Sequence, residues 1–105
     1  MSADNTIVVL KTNTKVWRDN SYELISVFRV EEITNFENIQ YYQNSELHNL
    51  GAYLLVTFGK SPKFPALEEA NKHAEELADK IEQEGRYLEY GIQFVDFSQY
   101  TLFGD

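Results

Sequence analysis

The chain has 105 residues, a formal net charge of −8 at pH 7 and no cysteine. We expect a single domain over residues 1–105, and the missing cysteine excludes a disulfide framework, a thiolate metal site and a thiol nucleophile. The acidity disfavours direct binding to nucleic acid and to anionic membranes, and neither a signal peptide nor a membrane span is recognisable, so we expect a cytoplasmic protein.

The first third of the chain predicts strands joined by turns. The apolar run at 6–11 predicts a strand, the polar residues 12–14 predict a turn, and residues 15–18 predict a short returning strand. Asp19-Asn20-Ser21 predicts a stronger turn. Residues 22–33 then form the longest strand candidate of the chain.

The strand candidate at 22–33 has one largely apolar face and one mixed face, because side chains alternate along a strand. The apolar face carries Tyr22, Leu24, Phe28 and Val30. The mixed face carries the charged residues Glu23, Arg29 and Glu31, with Ile25 and Val27 between them. The mixed face predicts a cover that is formed by another element or by a partner subunit.

Residues 34–50 follow no single period. Thr34-Asn35-Phe36-Glu37 matches a capping box, so we predict a short helix or a loop in this segment. Tyr41 and Tyr42 fall where a loop is expected. Tyrosine is common both at interfaces and at the edges of cores, so contact surface and peripheral packing both stay open for this pair.

The second half of the chain predicts a strand, a long helix and another strand. Residues 52–59 and 86–97 have the aromatic and branched composition of strands. The helix is predicted over 65–84, with Pro65 in its first turn and Gly85 at the position that closes it. Its apolar face recurs at the helical period and carries Leu67, Ala70, Ala74, Leu77, Ala78 and Ile81.

The last strand candidate changes face along its length. Leu88, Tyr90, Ile92 and Phe94 share one face, whereas Val95 and Phe97 fall on the other. Gly91 predicts a bulge, and a bend near Asp96 would turn the following residues inward. The aromatic tail at 100–105 is expected to dock on its own domain, on a second copy or on a partner.

These elements predict an α+β fold. We expect an antiparallel or mixed sheet of about four to five strands, with the helix at 65–84 packed on one face. The mixed face of the strand at 22–33 and the aromatic tail also favour self-association as a homodimer.

Acidic side chains crowd the polar side of the predicted helix. Five of them are the candidate partner-binding residues: Glu68, Glu75, Glu76, Asp79 and Glu82. Lys72 and Lys80 follow two of these acids by four residues, a spacing that predicts ion pairs along the helix. The simpler interpretation is a solvated helix face. The functional interpretation is a negative surface that meets a basic groove, in which carboxylates stand in for phosphates.

The sequence predicts no catalytic or metal site. His48 and His73 have no second ligand at a diagnostic spacing. Glu31 or Glu32 could form a carboxylate pair with Asp96 if their strands were neighbours, but surface charge at strand ends is the simpler interpretation. Hydrolase, phosphate-binding and dinucleotide-binding motifs are missing, so we expect neither a metal nor a cofactor.

We therefore expect a non-enzymatic protein-binding module, most specifically a small acidic inhibitor or adaptor. Its partner would be a protein with a basic surface, such as a nucleic-acid-binding protein, and the acidic helix and the Tyr41–Tyr42 segment would be the contact surfaces. The alternative is a small-molecule binder or small enzyme with an aromatic-lined pocket between sheet and helix. A deep pocket with a perturbed carboxylate favours the alternative, whereas a filled core beneath an acidic surface favours protein binding.

Overall fold

A four-stranded mixed sheet with one long helix on one face forms the fold, which confirms the predicted α+β class. The computed structural model describes residues 5–34 and 56–103, and the side chains of the last strand only as far as Ser98. The elements in chain order are β1 (Asn5–Arg18), β2 (Ser21–Thr34), β3 (Lys63–Phe64), α1 (Leu67–Gln83) and β4 (Ile92–Phe103). The strand order is β3-β2-β1-β4, in which β1 runs antiparallel to β2 and parallel to β4.

The hairpin of β1 and β2 is longer than the sequence indicates. The predicted turn at 12–14 is wrong, because β1 continues through these residues in register with β2. Thr12 and Thr14 are buried, and β-branched side chains suit a covered strand better than a turn. The real turn is at Asp19 and Asn20, as predicted, and their φ angles of 50° and 67° are those of a tight two-residue hairpin turn.

The face of the sheet beneath α1, called the helix face below, holds one half of the core. Ile7 and Val9 of β1 and Phe28 and Val30 of β2 form a buried cluster with residues of α1. Val9 and Val30 are register partners, so their side chains lie together on this face. The β1–β2 pair therefore supplies the platform on which the helix packs.

The opposite face, called the second face, is also buried. Val8 and Leu10 of β1 have no exposed surface, and Arg29 beside them on β2 is 5 % exposed. Ser61 donates a hydrogen bond from Oγ to Oε2 of Glu31 at 2.7 Å on this face. The chain itself thus covers the mixed face of β2 at Arg29, whereas Ile25 and Val27 are only partly buried and Glu23 is exposed.

Small residues determine how closely the helix α1 packs on the sheet. Ala70, Ala74 and Ile81 are buried against the sheet, and the two alanines allow a close approach of the helix backbone. Leu77 belongs to the predicted apolar face but is only partly buried, so Ala74 and Ile81 make the deeper contacts with the sheet. No helix within the described residues is both long and apolar enough to cross a bilayer.

Only the C-terminal end of α1 has the structure that the sequence predicts. Gly85 has φ of 75°, and its N–H donates to the Glu82 carbonyl while Arg86 N–H donates to the Ile81 carbonyl, which is the expected glycine closure. Pro65 lies outside the helix, because Ala66 is the N-cap. Residues 56–58 are helical, so the strand predicted over 52–59 is wrong in its described part, since a short apolar run suits a buried helix equally well.

Strand β4 begins later than predicted, and it exposes the face that the sequence predicts to be its apolar face. Val95 and Phe97 are buried on the second face, whereas Ile92 and Phe94 are exposed on the helix face, because α1 packs on β1 and β2. Gly91, with φ of 66°, precedes the strand, and the bulge follows Phe97 instead. Beyond it, Thr101–Phe103 pair with Asn13–Lys15, so this part of the tail docks on its own sheet.

Candidate functional site

The rotation of α1 against the sheet decides which acidic side chains face solvent together. With Ala70, Ala74 and Ile81 buried, four exposed acids line one side of the helix, and we call them the acidic stripe: Glu68, Glu75, Asp79 and Glu82. Glu76 is also exposed, but it lies about 90° around the helix from the stripe. The structure thus brings four of the five predicted helix residues together and sets Glu76 apart.

The carboxylates of the stripe are not neutralised by the lysines of the same helix. Neither of the predicted pairs, Glu68–Lys72 and Glu76–Lys80, is found among the ion pairs of the described residues, which have nitrogen–oxygen distances of at most 4 Å. Lys72 still lies within the stripe, so four carboxylates and one ammonium leave a charge of −3 on this surface. As far as residues 5–34 and 56–103 are concerned, that charge is available to a partner without breaking an internal salt bridge.

A shallow depression of about 480 Å³ opens on the stripe near the start of α1. Its described lining residues are Leu67, Glu68, Asn71, Lys72 and Glu75. Leu67 is partly exposed at its rim and offers apolar contact beside two carboxylates. Such a surface suits the side chain of a lysine or arginine, which pairs its charged head while its aliphatic stem lies on apolar surface.

An exposed apolar strip on β4 lies on the same side of the sheet as the stripe. His73 contacts Phe64 of β3, with ring centres 5.1 Å apart, so that flank of α1 faces β3. Because the strand order is β3-β2-β1-β4, the other flank, which carries Glu75 and Glu82, faces the β4 side. There Ile92 and Phe94, called the apolar strip below, are exposed on the helix face.

The other residues singled out in the sequence do not converge on this surface. Tyr41, Tyr42 and His48 lie outside the described residues. His73 packs on Phe64, and no cluster of three potential metal ligands occurs within residues 5–34 and 56–103.

The three carboxylates that could have formed a catalytic pair are kept apart. Glu31 is on the second face, where it accepts the hydrogen bond from Ser61. Glu32 is on the helix face, opposite Ile7. Asp96 is on β4, which β1 separates from β2, and there it accepts a hydrogen bond from the backbone N–H of Ser98.

A polar cluster around Glu32 is the feature that the sequence did not indicate. Arg86 makes a two-pronged ion pair with Glu32, with nitrogen–oxygen distances of 2.9 and 3.1 Å. Asn5 Nδ2 donates to Glu32 Oε2 at 2.9 Å, and Asn5 Oδ1 accepts from the backbone N–H of Glu89 at 3.0 Å. Arg86 follows the glycine that ends α1, and this turn places its side chain beside Glu32. The pairing therefore depends on the tertiary structure and not on a local sequence signal.

The electrostatics of the cluster keep Glu32 ionised. Partial burial raises the pKa of Glu32, but the hydrogen bonds from Arg86 and Asn5 and the positive charge of Arg86 outweigh burial, and the net pKa lies below its usual value. A cleft of about 320 Å³ adjoins the cluster, and its described lining residues are Asn5, Glu32, Thr34, Arg86 and Tyr87. The ion pair ties the exit of α1 to the ends of β1 and β2.

Replacing Glu32 by glutamine should lower stability in a pH-dependent way. Because the folded-state pKa of Glu32 is depressed, its stabilising effect is fully present above the ordinary glutamate pKa of about 4.3 and is lost as pH falls through the folded value. Urea midpoints measured between pH 7 and pH 3 should show a gap between wild type and E32Q that closes on acidification. The exposed control Glu68→Gln should show no such gap, and a pH-independent gap for E32Q would contradict the role of its charge.

No protein-family model matches this chain, and neither curated protein sequences nor solved structures give a significant match to it.

Proposed function

We propose that the protein is a non-enzymatic, cytoplasmic protein-binding module, a small acidic inhibitor or adaptor that engages a basic surface of its partner. One observation carries this proposal: the acidic stripe, which makes no ion pair with another described residue, lies on the same side of the molecule as the exposed apolar strip. A basic nucleic-acid-binding surface is the partner chemistry that fits best, because spaced carboxylates can occupy the positions of phosphates there.

The two parts of this surface have different roles in the proposed complex. The stripe steers a basic partner towards the protein over a distance, which raises the rate of association. Ile92 and Phe94 supply the apolar contact that holds the complex once it has formed, since large apolar residues dominate the energy of interfaces. A charged surface alone would favour solubility, whereas charge beside exposed apolar residues favours recognition.

The cleft near Glu32 is the observation that favours the alternative, a small-molecule binder. Its volume of about 320 Å³ is at the lower end of the range for ligand pockets. Its carboxylate, however, is already engaged by Arg86 and Asn5 and has a lowered pKa, so it suits neither a general acid nor an open ligand contact. Between α1 and the sheet, the described residues include a packed apolar cluster, which favours protein binding over a pocket at that place.

Capture of partners from a native extract tests the proposal when three versions of the protein are compared. The stripe variant carries Glu75→Gln, Asp79→Asn and Glu82→Gln. The control variant carries Asp19→Asn, Glu23→Gln and Glu69→Gln, which removes the same charge from exposed acids outside the stripe.

We expect wild type and the control variant to retain the same basic proteins, identified by mass spectrometry, and the stripe variant to lose them. Equal retention by the stripe variant and wild type would contradict a role for the stripe. Equal loss by both variants would show that only net charge matters, and this also contradicts the proposal.

A further inference from the structure

The far end of the β1–β2 hairpin carries a second exposed apolar surface, which lies on the helix face but beyond α1. Trp17, Tyr22 and Leu24 are 59 %, 65 % and 56 % exposed, and we call them the hairpin patch. The rings of Trp17 and Tyr22 meet edge to face with centres 4.8 Å apart, and Lys15 Nζ is 5.3 Å from the Tyr22 ring centre. Exposed Trp and Tyr side chains that pack against each other are typical of protein interfaces.

Among the residues that the structure describes, nothing pairs with the outer edge of β2 beside this patch. Strand β3 pairs only with Phe28 and Arg29, so within the described residues no strand pairs with the outer edge of residues 21–27. This segment lacks the proline, lysine and bulge with which natural edges prevent strand addition. The other edge of the sheet, on β4, is interrupted by the bulge after Phe97.

The hydrogen-bonding direction of this edge follows from the hairpin turn. With a two-residue turn at Asp19 and Asn20, Arg18 and Ser21 are the first hydrogen-bonded pair of β1 and β2. Directions then alternate, so the backbone groups of Tyr22, Leu24 and Ser26 point outwards. The pairing of Phe28 with Phe64 on the outer edge agrees with this alternation.

We propose that two copies of the chain join edge to edge through β2, antiparallel, with a two-fold axis at Leu24. In this register Leu24 faces Leu24 of the second copy, and Tyr22 faces Ser26 of the second copy. The pairing uses the whole open segment from Ser21 to Val27 and ends where β3 begins at Phe28. The exposed side chains of Leu24 and Tyr22 become covered by the join.

Charge favours a second copy at this place. Each copy carries −8, so two copies repel unless they meet where the local charge is not negative. Residues 11–27 contain three basic side chains and two acidic ones, a balance of +1. Glu23, the one charged residue in the paired segment, faces Ile25 of the second copy and lies 3.7 Å from Arg18 of its own chain.

Two single-cysteine variants test the register, because the chain has no cysteine of its own. In Leu24→Cys the two cysteines lie opposite each other, at a Cα separation of about 5.5 Å that permits a disulfide. In the control Ser26→Cys the cysteines are offset by four residues, about 13 Å along the strands, which is beyond disulfide reach.

After mild oxidation, we expect L24C to give a disulfide-linked dimer in at least about tenfold greater yield than S26C, since only the former meets the geometric limit. Sedimentation equilibrium should also show a wild-type dimer that Leu24→Pro dissociates. Proline at this position loses only an outward N–H, so the hairpin is retained. A monomeric wild type, or cross-linking of S26C as readily as L24C, would overturn the proposal. The cysteine pair decides the matter even if L24P fails to fold.

Discussion

Replacing Ile81 by alanine should lower the free energy of unfolding by about 2–4 kcal/mol, because a buried branched side chain is lost and a cavity remains. Ile81 is 1 % exposed and packs with Ile7, Val9 and Val30 beneath the last turns of α1. Such a loss is a large share of the stability of a small domain. Leu77→Ala should cost less, about 1–2 kcal/mol, because Leu77 is only partly buried.

Urea unfolding of the two core variants and one surface control measures the rotation of α1. Glu82→Ala, on the acidic stripe, should change the free energy of unfolding by no more than about 0.5 kcal/mol. Ile81→Ala should therefore have the lowest midpoint, followed by Leu77→Ala and then Glu82→Ala. A midpoint for Leu77→Ala below that for Ile81→Ala would place the helix in a different rotation, and the composition of the acidic stripe would change with it.

The helix and the second strand could be predicted from the sequence because each has a strong local signal. The helical spacing of Ala70, Ala74 and Ile81 indicated the buried face of α1, and Gly85 indicated its end. Asp19 and Asn20, which tolerate positive φ, fixed the hairpin turn. These features depend on neighbours in the chain, so they need no knowledge of the tertiary structure.

The errors concern segments whose structure depends on distant residues. Thr12 and Thr14 have the polarity of a turn, but their burial on the second face comes from sheet pairing and packing that local composition does not reveal. The reversed faces of β4 have the same origin. Phe94 has the same hydrophobicity as Phe97, and only the position of α1 over β1 and β2 decides which of them is exposed.

The candidate surfaces were predictable to different extents. The acids of the stripe follow from helical spacing, although the separation of Glu76 from them needed the observed rotation of α1. The Glu32–Arg86 pair joins residues that lie 54 positions apart, and the sequence has no signal for it. Trp17 belongs to an aromatic set that small domains normally bury, so its exposure on the hairpin could only be seen in the structure.

Neutralising the acidic stripe should slow association with a basic partner by about tenfold at low ionic strength, because charges at the periphery of an interface act mainly through steering. The dissociation rate should change much less, since the apolar strip of Ile92 and Phe94 is retained. Stability should also be nearly unchanged, because solvated acids without partners contribute little to folding. The control variant with three neutralised acids elsewhere should associate almost as fast as wild type.

The most direct measurement is the association rate constant against salt concentration, for wild type and the stripe variant, with a basic protein captured from the extract. Screening shortens to about 8 Å at physiological ionic strength, so the wild-type rate should fall steeply as salt rises. The stripe variant should start lower and depend only weakly on salt, and the two curves should converge at high salt. Salt-independent association of wild type, or curves for the two proteins that coincide throughout, would show that the acidic stripe serves solubility and not recognition.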